Sequence, residues 1–259
     1  MLRAIDLVEA VASEFGATSG RPSSRALRLD LPLKLADGRV HPYRLLVEED
    51  GTTLSVREEV PDRLPSFCPE RHINQGGTFC LGFPAVDQLE VTDTETALRW
   101  LEIVWKFLKL QERAARLRRW PDDKVWAHGN AAQHQRIAQH AAAALSKDFS
   151  LKLESQRLRV ERFGAKSERG PTIRAYVDGH HLFSVWERTG IAVRLKQRCF
   201  CGTSGKRTPK RLRACADHAK QASQLAVALH KWTQAEASFW KSFEGQPCCG
   251  SCNQCPFQR

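Results

Sequence analysis

The stretch Phe67-Cys68-Pro69-Glu70-Arg71-His72-Ile73-Asn74-Gln75-Gly76-Gly77-Thr78-Phe79-Cys80-Leu81-Gly82-Phe83 decides how the first half of the chain is interpreted. It follows neither a helical nor a strand period, and its prolines, glycines and asparagine predict an irregular loop. Two cysteines, a histidine and an amide nevertheless lie close together in it. Loops with such groups on a rigid scaffold commonly carry function. The competing interpretation is a glycine-rich turn around two buried thiols, since free cysteine often behaves as a small apolar residue.

Two segments of this loop resemble the active site of ubiquitin-conjugating enzymes. In that family a His-Pro-Asn tripeptide precedes a glycine, an apolar residue and the catalytic cysteine; here the matching residues are His72-Ile73-Asn74 and Gly77-Thr78-Phe79-Cys80-Leu81. Ile73 replaces the usual proline, and the spacing from Asn74 to Cys80 is shorter than in the eukaryotic enzymes. The Cys-Pro-x-Arg-His-Ile-Asn pattern is closer to the bacterial relatives. The resemblance covers about the first half of the chain.

The resemblance implies a chemistry for the loop. Cys80 would take a ubiquitin-like protein from an activating enzyme as a thioester and pass it to an amine, typically a lysine, on a target that the sequence does not name. Asn74 would donate an N–H to the oxyanion or brace the loop, and His72 would fix the loop by hydrogen bonding. Cys68 is the rival nucleophile, and we interpret it as structural. Bacterial enzymes of this kind belong to ubiquitin-like conjugation systems associated with antiviral defence.

Composition sets the class of partner and compartment. The chain has 259 residues, nine cysteines, a net charge of +11 and a pI near 9.4. A basic chain favours an acidic partner, which can be a nucleic acid, a phospholipid surface or an acidic protein. No apolar run is as long as a membrane span and no secretory signal is recognisable at the N-terminus, so we expect a cytoplasmic protein without a membrane partner. Cysteines in such a protein indicate metal ligands or catalytic thiols.

The first half predicts a helix, a meander, the loop and a long helix. Apolar residues at helical spacing predict a helix over residues 4–15, and leucines that alternate with polar residues in 24–35 predict a half-buried strand. Further strands are predicted over 41–49 and 53–59, with hairpin turns at Asp37-Gly38 and Asp50-Gly51. A long helix is predicted over 94–119. This order matches the opening of the ubiquitin-conjugating fold.

The second half predicts a smaller mixed domain. Its predicted elements are helices over 131–145 and 220–245, strands within 151–160, 172–177, 182–186 and 192–195, and an exposed loop over 161–171. We interpret His134 and His140 as helix-surface residues, and Trp126-Ala127-His128-Gly129 as a packing element. The fold class is therefore α+β. We predict a ubiquitin-conjugating-like domain over residues 1–148. A smaller cysteine-rich domain of strands and helices, stabilised by bound metal, is predicted over residues 149–259.

The tail after residue 198 contains seven of the nine cysteines. Eight soft ligands are found there: Cys199, Cys201, Cys215, His218, Cys248, Cys249, Cys252 and Cys255. Eight ligands match two tetrahedral zinc sites, and the simplest grouping puts the first four on one ion and the last four on the other. The first set resembles the small zinc-binding module at the C-terminus of the bacterial secretion ATPase. An iron–sulfur cluster on the last four cysteines is the competing interpretation, since thiolates bind both.

A cationic run begins just before Cys199 and continues through the segment between Cys201 and Cys215. It contains no acidic residue and comprises Lys196, Arg198, Lys206, Arg207, Lys210, Arg211 and Arg213. Such a run can contact phosphates or steer an acidic protein. We do not favour nucleic acid as the partner, because no aromatic stacking platform is interleaved with the charges. The alternative function for the whole chain is a non-catalytic zinc-containing adaptor or nucleic-acid-binding protein.

Overall fold

The structure is a computed structural model that describes residues 2–121, 126–164, 170–201, 210–253 and 255–258. Residue contacts divide the chain into two compact units. The first unit combines Met1–Val125 with Glu244–Arg259, and the second is Trp126–Phe243. The C-terminal segment, Glu244–Arg259, therefore belongs to the first unit, although the second unit separates it in sequence from Met1–Val125.

The first unit begins with a helix followed by a four-stranded antiparallel meander. Helix α1 spans Ala4–Val11 and continues as a 3₁₀ turn that ends at Gly16, which adopts a left-handed conformation. The strands follow in sheet order β1-β2-β3-β4 and have the bounds Thr18–Ser23, Ala26–Lys34, Val40–Asp50 and Thr53–Glu58. Helix α2, Thr94–Leu117, begins at Asp93, whose side chain accepts a hydrogen bond from the Thr96 backbone N–H in a capping box.

The core of this unit lies between one face of the sheet and the two helices. Alternation along β2 buries Leu27, Leu29, Leu31 and Leu33 completely or almost completely. On α2 the buried stripe includes Trp100. Each such side chain contributes about 1.5–3 kcal/mol through removal from water. The predicted helices and the β2–β4 meander are confirmed, and the sequence pattern also predicted correctly which face of β2 is buried.

Strand β1 was not predicted. Its residues are almost all exposed, so no apolar alternation marks it. It pairs with β2 at the edge of the sheet, with a bulge between Gly20 and Ser23. Ion pairs from Arg21 to Asp6 (2.6 Å) and Glu9 (2.6 Å) join it to α1. Contacts with neighbouring elements, rather than local sequence preference, make this segment a strand.

The second unit packs helices on a three-stranded antiparallel sheet. Helices α3 (Ala131–Leu145) and α4 (Lys147–Glu154) precede the strands, and α5 (His218–Ser242) follows them. Strands β5, β6 and β7 have the bounds Leu158–Phe163, Thr172–Val177 and His180–Trp186. The core of the unit includes Phe149, Ile173, Phe183, Val185 and Leu225, each at most 1% exposed.

Three predictions for this unit need correction. The alternation around residue 151 suggested a strand, but the segment is helix α4, because Ser146 caps it and its buried Phe149 and partly buried Leu153 pack in the core. Residues 192–195 form only an isolated bridge, between Val185 and Ala192. The expected loop over 161–171 begins later than predicted, since β5 continues to Phe163; residues 165–169 lie outside the described residues.

The structure divides the chain at a different point from the boundary predicted near residue 148. Helix α3 packs mainly on α5, so both belong to the second unit. The last residues return to the first unit because they pack around Cys68. Neither long-range contact leaves a local signal in the sequence.

Among the helices in the described ranges, none combines the length and apolar character required to cross a membrane.

Candidate active site and metal centres

The loop that follows β4 folds into a compact ladder of short backbone pairs. Cys68 and Ile73 exchange two hydrogen bonds of 3.0 Å, and Ile73 in turn pairs with Phe79. Thr78 bridges Arg57, so the loop extends the sheet at its β4 edge. Gly76 and Gly77 turn the chain between the two arms with φ of +82° and +83°, a conformation that favours glycine. The irregular sequence thus forms a fixed structure on the sheet.

Buried side chains fasten this loop to the core. Ile73 is fully buried, and the Phe79 ring stacks on Phe107 of α2 at 4.7 Å. Arg71 is 3% exposed, and its guanidinium donates to the Gln111 side-chain oxygen at 2.8 Å. Because the anchors come from both α2 and the sheet, the outward-facing residues of the loop have defined positions.

Cys80 is the exposed thiol of this loop. Its backbone N–H donates to the His72 carbonyl at 2.8 Å. Partial burial by the surrounding atoms raises the pKa of the Cys80 thiol, the backbone N–H of Gly82 lowers it, and the negative charge of Asp87 raises it further. The raised pKa makes the neutral thiol the dominant form at neutral pH. Attack by this sulfur therefore requires loss of its proton first.

Asp87 was missed by sequence reasoning. Its carboxylate accepts a hydrogen bond from the Phe83 backbone N–H at 2.7 Å and closes over Gly82, where an added Cβ would meet an Asp87 oxygen at 2.6 Å. A side chain at position 82 would therefore have to displace the Asp87 carboxylate. No spacing rule in the sequence marks Asp87, because the turn of residues 83–87 brings it back beside Cys80.

Asn74 is exposed, and its backbone closes the turn through a 2.8 Å hydrogen bond to Thr78. Asn74 and Cys80 each follow one member of the bridge between Ile73 and Phe79 in sequence. Within the described part of the chain, the Asn74 side-chain amide has no hydrogen-bond partner. The amide is therefore available to a molecule bound at the thiol.

His72 shapes the loop from inside. It is 8% exposed, has a left-handed backbone with φ of +54°, and its ring lies 4.9 Å from that of Trp120. A non-glycine residue in this conformation costs about 1–3 kcal/mol, so the surrounding contacts must hold it there. The arrangement places the His72 carbonyl where the Cys80 N–H reaches it. His72 is thus positioned to orient the segment that carries the thiol.

The first predicted set of metal ligands comes together in the second unit. The ligand atoms of Cys199, Cys201, Cys215 and His218 all lie within 4.8 Å of one another. The Cys199 sulfur is 3.3 Å from His218 Nδ1, and the Cys201 and Cys215 sulfurs are 3.8 Å apart. Zinc–sulfur bonds of about 2.3 Å in a tetrahedron require sulfurs about 3.8 Å apart, so the set fits zinc.

Backbone contacts assemble this set of ligands. The Cys199 N–H donates to the Lys210 carbonyl at 2.8 Å, beside a bridge between Arg198 and Arg211. His218 is the first residue of α5, and its N–H donates to the Cys215 carbonyl at 3.1 Å. Cys215 and His218 have Cys-x-x-His spacing, and this turn lies between them.

The last four cysteines lie in the first unit, around Cys68. Cys68, Cys252 and Cys255 are 1%, 2% and 4% exposed and form one buried cluster, against which Cys248 packs. The Cys68 thiol contacts the thiols of Cys249 and Cys252, and the Cys255 thiol contacts that of Cys248. Sequence reasoning assigned Cys68 no role as a ligand. The one available signal was Cys68-Pro69, which matches Cys255-Pro256 in the tail.

The remaining predicted features lie on the surface or in packing contacts. His128 stacks on Phe239 at 4.7 Å and its ring lies 2.5 Å from Glu236, in agreement with a packing element. His140 is exposed, while burial and the charge of Lys231 lower the pKa of His134. The described members of the cationic run are all exposed and form no ion pair within the described ranges: Lys196, Arg198, Lys210, Arg211 and Arg213. Lys206 and Arg207 lie outside the described residues.

The fold and the loop define an E2-like domain, the class of ubiquitin-conjugating enzymes, followed by a cysteine-rich domain that contains a candidate metal site. Two family models match in that order: "Prokaryotic E2 domain" over residues 15–122, and "Cysteine-rich domain, C-terminal to E2 domain" over residues 127–257. The chain belongs to the family of prokaryotic E2 proteins with a C-terminal cysteine-rich domain. Comparisons with curated proteins and with solved structures give no match. E2 domains work with a ubiquitin-like protein and an E1-like activating enzyme.

Proposed function

We propose that the protein is a ubiquitin-conjugating-like enzyme that accepts a ubiquitin-like protein as a thioester on Cys80 and transfers it to an amine on a target. The observation that carries the proposal is an exposed cysteine on a loop fixed by buried neighbours, inside a matched E2 domain. The exposed amide of Asn74, in the same loop, supports the proposal. By resemblance, we place this activity in a bacterial ubiquitin-like conjugation system of antiviral defence, in the cytoplasm.

The first step is a transthiolation. Cys80 loses its proton to solvent, and its sulfur attacks the carbonyl carbon that links the ubiquitin-like protein to the cysteine of the activating enzyme. The bond to Cys80 forms, the earlier carbon–sulfur bond breaks, and the activating enzyme's cysteine leaves as a thiolate. The chain shows no phosphate-binding glycine-rich motif in its sequence, which fits an acyl carrier that a separate enzyme loads.

The second step is an aminolysis. The nitrogen of the acceptor amine attacks the same carbonyl carbon, a C–N bond forms, and the bond to the Cys80 sulfur breaks. The Cys80 thiolate then takes up a proton, while the amine gives one up. In both steps an oxyanion develops, and the Asn74 side chain supplies an N–H donor for it. The Asp87 carboxylate beside the thiol attracts the protonated form of the amine, which loses one proton to water before its nitrogen attacks.

The test is a loading reaction with the cognate activating enzyme, its ubiquitin-like protein and ATP. We expect an adduct on a non-reducing gel that disappears on addition of thiol and is absent from Cys80→Ala. Cys249→Ala is the matched control, because Cys249 is also exposed and should leave the adduct unchanged. An adduct that persists in Cys80→Ala would contradict the proposal.

A second candidate function is a non-catalytic zinc-containing adaptor that binds nucleic acid. It is favoured by the exposed cationic residues, for which the described part of the chain shows no ion pair. Phosphate contacts would make binding strongly dependent on salt. Fluorescence anisotropy with a labelled duplex and a labelled single strand, between low and high salt, tests it. If such binding is found, and Lys210→Glu with Arg211→Glu weakens it while no thioester forms, the adaptor replaces the enzyme as the proposed function.

A further inference from the structure

A group of thiols in the first unit joins residues that are far apart in sequence. Cys68 belongs to the loop that carries Cys80, whereas Cys248, Cys252 and Cys255 belong to the C-terminal segment. All four pack together, and three of them are at most 4% exposed. Four soft donors in one buried cluster are the usual composition of a structural tetrahedral metal site.

We propose that Cys68, Cys248, Cys252 and Cys255 bind one tetrahedral zinc ion, so that the active-site loop and the C-terminal segment share a metal centre. This ligand set replaces the grouping of the four tail cysteines by themselves. It differs from that grouping in one exchange, in which Cys68 takes the place of Cys249.

The choice of Cys248 over Cys249 as the third ligand from the tail rests on burial and hydrogen bonding. The Cys248 sulfur is half-buried, packs against the cluster and accepts the Gly250 N–H at 3.3 Å, a contact that satisfies a thiolate. Cys249 is exposed, and its sulfur lies 3.0 Å from the Ser251 hydroxyl. Although Cys249 also contacts Cys68, its exposure places it at the rim of the cluster.

Hydrogen bonds and a ring contact that need no metal hold the C-terminal segment beside Cys68. The Arg118 guanidinium donates to the Gly250 carbonyl at 2.9 Å, and the Asn253 backbone N–H donates to the Arg118 carbonyl at 2.8 Å. The rings of Phe67 and Phe257 stack at 5.9 Å, and Phe257 also packs against the thiol cluster. The tail is therefore seated against the end of α2 and the start of the loop, which reduces the entropy cost of closing a site across so long a chain separation.

The metal centre would also stabilise the ladder that carries Cys80. Cys68 pairs with Ile73, Ile73 pairs with Phe79, and Cys80 follows directly. Fixing Cys68 on a metal therefore restricts the backbone from which the reactive thiol projects. This consequence for catalysis rests on the proposed function, whereas the ligand set does not.

The test measures bound metal in the purified full-length protein. Inductively coupled plasma mass spectrometry should find about two zinc ions per chain in the parent protein, in Cys80→Ala and in Cys249→Ala. We expect about one zinc ion per chain in Cys68→Ala, in Cys248→Ala and in Cys252→Ala. Retention of the Cys199, Cys201, Cys215 and His218 ion in these variants, and an unchanged circular dichroism spectrum of the helices, show that the variants fold.

Several outcomes would overturn the assignment. Cys68→Ala with undiminished zinc removes Cys68 from the site. Loss of zinc in Cys249→Ala together with full zinc in Cys248→Ala exchanges the fourth ligand and contradicts the set proposed. Iron with acid-labile sulfide in place of the second zinc ion contradicts the metal. None of these results depends on thioester formation, so failure of this inference and failure of the proposed function can be told apart.

Discussion

The Cys80 loop and the Cys199–His218 cluster use the same reactive atom in opposite environments. The Cys80 thiol is exposed, with a backbone N–H and a carboxylate as neighbours. The Cys201 and Cys215 thiols are buried, with further thiols and a histidine as neighbours. An exposed sulfur without a second soft donor can exchange an acyl group, whereas clustered buried sulfurs hold a metal. The neighbours of a cysteine, more than the residue itself, decide its role.

The largest difference between the two regions should appear in stability. Cys215→Ala removes a ligand and leaves three soft donors without their ion, and loss of a structural metal is among the few changes that cost about 4 kcal/mol or more. Cys80→Ala, the same substitution at an exposed site, should change the free energy of unfolding by less than about 0.5 kcal/mol. Urea denaturation of both variants, with and without a chelator, measures the difference. Equal stability of the two variants would refute a structural metal at Cys215.

The second prediction concerns the support of the Cys80 loop. Ile73 is fully buried at the centre of the ladder, so Ile73→Ala should cost about 2–5 kcal/mol and slow thioester formation. Ile137→Ala is the matched control, because Ile137 is 45% exposed and its truncation should have little effect on either quantity. Thermal denaturation and the loading reaction measure the two effects. A fully active, stable Ile73→Ala variant would show that the ladder does not position the thiol.

The third prediction separates chemistry from stability within the loop. Asn74→Asp keeps the size of the side chain but removes its N–H donors, and loss of one oxyanion donor typically lowers a rate by about 10²–10³. Since Asn74 is exposed, the free energy of unfolding should stay nearly unchanged. Single-turnover discharge of the preloaded thioester to free lysine measures the rate, with Gln75→Glu as a neighbouring control of equal charge change. Normal discharge by Asn74→Asp would remove the oxyanion role.

The smallest expected effect is electrostatic. Asp87 raises the pKa of Cys80, so Asp87→Asn should lower it and increase the thiolate fraction at neutral pH. The variant keeps a side-chain oxygen for the Phe83 N–H, so the turn should persist. The rate of alkylation of Cys80 by iodoacetamide, followed against pH by peptide mass spectrometry, should rise at a lower pH than in the parent protein. A profile shifted the other way would contradict the sign of this interaction.

Local patterns predicted much of this molecule, and long-range contacts account for what they missed. The alternating leucines of β2 are a short-range signal, and they were interpreted correctly. The predicted set Cys199, Cys201, Cys215 and His218 does come together, and Cys215 and His218 are only three residues apart. Strand β1 has no apolar alternation because it is an exposed edge, and α4 was mistaken because only Phe149 of its residues is buried. The contact between Cys68 and Cys252 joins residues that are far apart in sequence, and no spacing rule predicts such a contact.

The most direct measurement of the central claim is the position of the acyl group. In Cys80→Ser, a hydroxyl replaces the thiol. Loading by the activating enzyme should therefore produce an ester, which added thiol does not cleave and hydroxide does. Tryptic digestion and tandem mass spectrometry then locate the adduct. The account predicts the C-terminal residues of the ubiquitin-like protein attached at position 80. Attachment at another residue, or no adduct on either the parent protein or this variant, would contradict it.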